Sequence, residues 1–284
     1  MNMRGVFLRT VSQVMTVLLT AALGAAPAFA QSAPPPLGQR VSLPVQPGPV
    51  ALAMGDFNRD GFLDLAISSS GSSNVSILMG KGGGTFEQRS VVSVGGPSGP
   101  VAVGDLAGDG VPDLAVVQGP RLVVLIGDGQ GGFRVGGEQK LPVMPWSIAL
   151  GDINGDGKAD VAVTFSAQKQ WALYYGVGNG SFQFPVLFDL GRQPYAVAIA
   201  DFNGDRMSDV ALTGTAFVEI WLGNRDRPTS PTWGAPLVQG SVPITVAVGD
   251  VNGDGSWIWP SPVPWEASWR CSSGPVPGRF RHRR

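Results

Sequence analysis

Cysteine and histidine are almost missing from this 284-residue chain, which has one of each, Cys271 and His282. A lone thiol closes no internal disulfide, so a disulfide framework is excluded. A lone histidine near the end of the chain leaves no usable nucleophile–histidine pair. Neither an HExxH zinc helix nor a P-loop occurs. These gaps speak against catalysis, and Glu87, Glu138 and Glu219 are scattered along the chain. Long apolar runs are also lacking, apart from one near the start, so no second segment can span a bilayer. Helix is not expected to dominate a chain with 41 Gly and 24 Pro.

The one apolar run, from about Val11 to Ala26, follows Arg4 and Arg9 and leads into Ala28-Phe29-Ala30. That order is the signature of a signal peptide, expected over residues 1–30 with cleavage before Gln31. No cysteine sits there to carry a lipid. Export to the periplasm, the cell surface or the medium is therefore expected, with no membrane span in the mature chain. A short Pro-rich linker, 31–36, follows. The net charge of −1 hides a division. The signal segment carries +2 and residues 256–284 carry +4, which leaves −7 on residues 31–255. An acidic body suits cations and disfavours nucleic acid.

An acidic loop recurs with its first Asp at 56, 105, 152, 201 and 250, at spacings of 49, 47, 49 and 49. Around each Asp the same unit is legible in the first four repeats. A short strand precedes the loop, as in "SIALGD". A second follows it, as in "DVAVT", and a third ends in Gly, as in "WALYYG". A Gly-rich turn and an aromatic lead into a fourth, less regular strand. Four strands in about 48 residues is the size of a propeller blade. Near-continuous apolar runs predict middle strands buried on both faces. The fold class expected is all-β: a β-propeller with four complete blades over 37–255 and a truncated fifth, an incomplete or open ring. The segment 37–46 resembles a fourth outer strand.

The core D-x-N-x-D-G-x-x-D-[LV]-A, followed by a Gly-rich turn and Phe, resembles the FG-GAP and VCBS repeats. Those form the propeller of integrin alpha chains and of many secreted bacterial proteins. The resemblance covers roughly Leu37 to Gly255 and is tightest in the first and third repeats. It implies a binding or adhesion scaffold, and family propellers usually have seven blades.

Asp, Asn and Gly also favour plain turns. A turn, however, does not require oxygen donors at positions 1, 3, 5 and 9, whereas calcium requires a ring of oxygens. The first loop offers Asp56, Asn58, Asp60 and Asp64 with the Phe62 carbonyl at position 7. The third offers Asp152, Asn154, Asp156 and Asp160 with the Lys158 carbonyl. The fourth offers Asp201, Asn203, Asp205 and Asp209 with the Met207 carbonyl, but holds Arg206 at position 6 where the others have Gly. The second offers Asp105, Asp109 and Asp113 with the Val111 carbonyl, but Ala107 supplies no oxygen at position 3, so weak binding with water in the gap is expected. An EF-hand needs Glu at position 12. Ile67, Val116, Val163 and Leu212 stand there, so the EF-hand is excluded.

The fifth loop, "GDVNGDGSWIWPS", starts in register and then fails. Residues 256–284 hold four of the eight Trp and five Arg, with no Leu or Asp. Trp is encoded only by TGG and Ile begins with AT. Read one frame over, Trp257–Pro260 gives Asp, then Leu or Met, then Ala, with the Asp at loop position 9 once one base is restored. The tail is read as an out-of-frame translation of a fifth blade.

The function expected is an exported, calcium-stabilised scaffold for an extracellular protein or glycan ligand. Ligands would meet the face opposite the acidic loops, where Trp146, Arg192 and Tyr195 are candidates and inter-blade packing of those aromatics is the plainer role. The alternative is part of a secreted carbohydrate-active enzyme.

Overall fold

The computed structural model describes residues 42–225, the strand at 233–236, and residues 246 and 248. The expected signal peptide, the linker, the fifth acidic loop and the tail from 256 lie outside the described residues. Among the described residues all regular structure is β-strand, arranged as four four-stranded sheets in which each strand pairs with its chain neighbour. This is the all-β blade architecture that the repeat implies. No helix of the described residues is long and apolar enough to cross a membrane.

The first sheet comprises β1 (Pro49–Gly55), β2 (Asp64–Ser69), β3 (Asn74–Gly80) and β4 (Phe86–Ser93). The second comprises β5 (Ser98–Gly104), β6 (Asp113–Gln118), β7 (Arg121–Gly127) and β8 (Phe133–Lys140). The third comprises β9 (Ser147–Gly151), β10 (Asp160–Phe165), β11 (Gln170–Tyr174) and β12 (Val186–Asp189). The fourth comprises β13 (Pro194–Ala200), β14 (Asp209–Gly214), β15 (Phe217–Trp221) and β16 (Trp233–Pro236). Each of the first four acidic loops connects the first strand of its sheet to the second. The chain divides into two compact units, one running to Val103 and including Asp109–Lys140, the other comprising Gly104–Gly108 and the residues from Leu141 onward.

In the first unit, β2 is buried along its whole length. Its alternate residues feed two cores, as the two-residue period of a strand requires. Ala66 joins Phe57, Val75, Ile77, Leu114, Val116 and Val123 in one cluster. Leu65 and Ile67 join Leu78 in another, covered by Leu43, Val45, Leu52 and Met54. A run buried on both faces reads as continuously apolar, which is why "DLAIS" shows no alternation. β4 exposes Glu87, Gln88, Arg89, Val91 and Ser93 to solvent, all polar but Val91. β1 and β5 are half-buried, less enclosed than the second strands, because each lies at the edge of its sheet.

The segment expected to act as a stray outer strand differs. Residues 37–41 lie outside the described residues, and 42–46 form no strand. Pro44 and Pro47 lack the N–H groups a ladder needs. Instead Leu43 and Val45 pack onto the first sheet, and Gln46 N–H donates to Ser76 Oγ at 3.2 Å.

In the second unit, β9 and β13 lie next to one another, and a core of Ile153, Ala162, Trp171, Leu173, Val197, Val210, Leu212 and Phe217 fills the space between their sheets. Trp171 stacks on Phe188 at 4.4 Å and meets Trp221 edge-on at 5.2 Å.

Candidate functional site

The acidic loops owe their shape to two left-handed residues each, at positions 4 and 6. In the third loop these are Gly155 and Gly157, with φ of 71° and 81°. The first loop uses Arg59 (60°) and Gly61, and the fourth uses Gly204 and Arg206 (70°). Arg206, standing where the other loops have Gly, thus takes the left-handed conformation that glycine adopts without strain. Arg59 carries the same strain at a position whose demand was not legible in the sequence.

Within the loops, acidic side chains hold backbone N–H groups. Asp56 accepts from Asp60 N (3.1 Å) and Gly61 N (2.9 Å), and Asp60 accepts from Phe62 N (2.9 Å). Asn58 Oδ1 accepts from Asp60 N, and its Nδ2 donates to Asp60 Oδ2. Asp152, Asn154 and Asp156 repeat these N–H bonds, as do Asp201, Asn203 and Asp205. In the second loop Asp105 accepts from Gly108 N at 2.7 Å and Asp109 from Val111 N at 2.9 Å.

The ninth residue is different in kind. Asp64, Asp113, Asp160 and Asp209 are fully buried. Asp64 takes Phe57 N–H at 2.8 Å and Gly80 N–H at 2.7 Å. Asp160 takes Ile153 and Gly176, Asp209 takes Phe202 and Gly223, and Asp113 takes Gly127 at 2.8 Å. Each of these carboxylates thus ties its loop to the end of its sheet's third strand. Burial pushes Asp64, Asp160 and Asp209 upward in pKa, Asp160 and Asp209 to about 6, against the N–H bonds that pull them down; the neighbouring loop aspartates raise them further. In the sequence these partner glycines mark only the ends of the third strands. A β-carbon at Gly80, Gly127, Gly176 or Gly223 would overlap the carbonyl oxygen of Leu63, Pro112, Ala159 or Ser208.

The seventh-position side chains lie over the glycine turns between third and fourth strands. Phe62 covers Gly82, Val111 stands 3.7 Å from a β-carbon built on Gly129, and Lys158 covers Gly178. Met207 instead lies beside Gly155 of the preceding loop. Lys158 Nζ stands 3.8 Å from Asp156 Oδ2. Loops also bond to the following blade: Gly131 N donates to Phe57 O (3.1 Å), Gly180 N to Leu106 O (2.8 Å) and Ser208 N to Asp152 O (2.9 Å).

Do these residues fit a cation? The donor set of the first, third and fourth loops is hard oxygen, the chemistry calcium takes. Each carboxylate oxygen that accepts one N–H keeps lone-pair capacity for another partner. The buried ninth aspartate beside further aspartates is the environment that a bound cation would relieve. The side chains are folded onto their own loop, and among the described residues no three His, Cys, Asp or Glu are grouped so as to hold a metal. Ligation therefore requires the exposed loop carboxylates to turn. The second loop fits less well, because Ala107 brings no oxygen.

Of the three ligand-face candidates, the structure brings two together. Trp146 and Tyr195 meet edge-to-face at 5.3 Å, with Trp146 43% exposed. Thr164 places both: its carbonyl accepts Trp146 N–H at 2.8 Å, and its hydroxyl donates to Tyr195 O at 2.8 Å. Tyr195 OH lies 3.3 Å from Gln193 Oε1. Arg192 is engaged elsewhere. Its guanidinium covers the Phe217 ring at 4.0 Å and pairs with the buried Glu219, which also accepts Trp221 Nε1–H at 3.2 Å.

FG-GAP-like repeats are matched over residues 56–116, 105–163, 152–212 and 201–256. No curated protein matches the chain. Among solved structures, one describing specific recognition of non-reducing terminal N-acetylglucosamine by an Agrocybe aegerita lectin is similar at 20% identity and a TM-score of 0.53. The similarity covers 72% of this chain and 58% of that one. BBS1N in complex with ARL6DN is similar at 16% identity and a TM-score of 0.52, covering 74% of this chain and 62% of that one. The chain thus spans about three fifths of the length of these solved chains. With four matched repeats and four sheets whose acidic loops join first strand to second, this chain belongs to the FG-GAP-like repeat family.

Proposed function

We propose that the chain is an exported, non-catalytic binding scaffold, stabilised by calcium in its first, third and fourth acidic loops, that meets an extracellular glycan or protein through its inter-blade face. The observation that carries this reading is the division of labour along β10, the second strand of the third sheet. One end holds an acidic loop of hard oxygens. The other end, at Thr164, holds the Trp146–Tyr195 pair. An exposed indole beside a tyrosine hydroxyl offers an apolar platform and a polar edge, which suits the mixed faces of a sugar ring. The lectin of similar fold makes glycans the first probes to try.

Calcium, when bound, supplies the positive charge that lets neighbouring carboxylates stay ionised. The loop residues would hold it: Asp152, Asn154, Asp156 and Asp160, with the Lys158 carbonyl, in the third loop, and their counterparts in the first and fourth. Binding to the native state alone raises stability by about 2.7 kcal/mol at a free concentration one hundred times the dissociation constant.

Two measurements test the proposal. Melting in chelator should occur at lower temperature than in calcium, with magnesium a poorer substitute because it holds its water and demands a tighter octahedron. Asp156→Ala should lose much of that response. Indifference of the melting temperature to chelator would remove calcium from the reading. For the ligand face, a glycan array in calcium should show binding that Trp146→Ala abolishes. An array without binding, or binding unchanged in that variant, would remove the glycan.

A further inference from the structure

Asn-Gly is a dipeptide at which a chain can attack itself. With no β-carbon on the glycine, its backbone nitrogen is free to swing onto the side-chain carbonyl carbon of the asparagine and close a five-membered imide. The described residues hold three such pairs. Asn154–Gly155 and Asn203–Gly204 stand at positions 3 and 4 of the third and fourth acidic loops, and Asn179–Gly180 lies in a glycine turn. A fourth, Asn252–Gly253, lies outside the described residues. In the first loop Asn58 is followed by Arg59 instead.

The fold holds two of the three pairs shut. Gly204 N–H, the attacking group, is tied to Asp201 Oδ1 at 2.6 Å, and Asn203 Nδ2, the leaving group, donates to Asp205 Oδ2 at 2.9 Å. Gly180 is buried, and its N–H is tied to the Leu106 carbonyl at 2.8 Å. In the third loop neither hold exists. Gly155 is exposed, and among the described residues nothing accepts from Gly155 N or from Asn154 Nδ2. The reason lies at position 7. In the first and fourth loops the fifth-position Oδ2 takes the asparagine amide, but Asp156 Oδ2 faces Lys158 Nζ at 3.8 Å. Phe62 and Met207 bring no charge to position 7. Asn154 Oδ1 still accepts Asp156 N–H at 3.0 Å, which folds the amide back over the peptide that follows and polarises its carbonyl.

We infer that Asn154 is a site of spontaneous covalent modification, the one Asn-Gly pair among the described residues that the fold leaves open, and that Lys158 keeps it open by drawing Asp156 aside. Gly155 N gives its proton to water and forms a bond to Asn154 Cγ. The bond from Cγ to Nδ2 breaks, and Nδ2 takes a proton and leaves as ammonia. Water then adds to either carbonyl of the imide. Opening on one side gives aspartate, and opening on the other gives isoaspartate, whose backbone is longer by one methylene. Aspartate adds a carboxylate at position 3, between those at positions 1 and 5. Isoaspartate displaces every later donor of the loop. The reaction needs only water as co-reactant. It does not rest on the calcium reading, and its test is made in chelator so that the two fail separately.

The full chain is aged in chelator at neutral pH, digested, and mapped by mass spectrometry for the mass change of an amide becoming an acid. Asn154 should convert about tenfold or more faster than Asn203 or Asn179, each of which must first break a hydrogen bond at its glycine nitrogen. It should give two separable products of equal mass, aspartate and isoaspartate. In a parallel sample unfolded in urea the three pairs should convert at similar rates, because the glycine is common to all of them. Lys158→Met, which releases Asp156 Oδ2 to take the amide, should slow Asn154 several-fold in the folded chain. Asn203 or Asn179 converting as fast as Asn154 in the folded chain overturns the inference. So does the same lead of Asn154 surviving in urea, or a Lys158→Met variant that ages like the wild type.

Discussion

The carboxylate of Asp160 accepts the N–H of Gly176 at 2.9 Å through one oxygen and that of Ile153 at 3.0 Å through the other. A single buried side chain thereby joins the start of an acidic loop to the far end of the third strand. Asp64 and Asp209 make the same pair of bonds in their own sheets.

Removing that link should be costly even without metal. Asp160→Ala orphans two buried N–H groups, each costing about 1–3 kcal/mol. Loss of a desolvated carboxylate offsets part of this. A net fall of about 2 kcal/mol in chelator, read from urea unfolding, is expected. A fall seen only in calcium would mean that Asp160 acts as a ligand and not as a structural tie.

The partner glycine should tolerate no side chain. Gly176→Ala places a methyl on the Ala159 carbonyl, which is backbone and cannot step aside. The substitution should destabilise by about 3 kcal/mol or more, at the upper end for overpacking. Gly83→Ala is the control: its φ of 60° is strained for alanine, but nothing lies within 4 Å of the added carbon. It should cost only about 1 kcal/mol. Equal costs would mean that conformation, not close approach, selects glycine at the strand end.

Stability without metal should fall as pH rises through about 6. Burial first, and the neighbouring aspartates after it, raise Asp160 and Asp209 from 3.8 to about 6 in the fold. Between those values the native state binds more protons than the unfolded chain, so stability decreases with pH. The favourable contribution is fully present below 3.8 and is lost as pH rises past about 6. Calcium, which needs the ionised carboxylates, should reverse the slope. Melting temperature against pH, with chelator and with calcium, checks both signs; parallel curves would contradict them.

Arg206 occupies a left-handed position with φ of 70° that glycine holds in the other three loops. Arg206→Gly should stabilise the protein by about 1 kcal/mol. For a domain of this size that raises the melting temperature by roughly 2–4 °C. It should also tighten calcium at the fourth loop by removing a nearby positive charge. A melting temperature that does not rise would mean that Arg206 makes a compensating interaction.

Much of this molecule was legible from periodicity. The recurrence of an aspartate every 47–49 residues, with apolar runs before and after it, determined the blade, its strand order and the location of every acidic loop. Such patterns are local, and local backbone preferences express them directly. The donor types at positions 1, 3 and 5 were equally plain. Tertiary structure decided which partner each group meets. The ninth aspartate is set apart because burial turns both its oxygens onto backbone N–H groups up to 16 residues away in sequence. The strand-end glycine is required by a carbonyl from another part of its sheet. Trp146 and Tyr195, 49 positions apart, are neighbours because both bond to Thr164. Arg192 was grouped with them by sequence, yet it faces Phe217 and Glu219. A repeat specifies its own unit through residues close in sequence. What passes between units depends on distances that exist only after the sheets have packed.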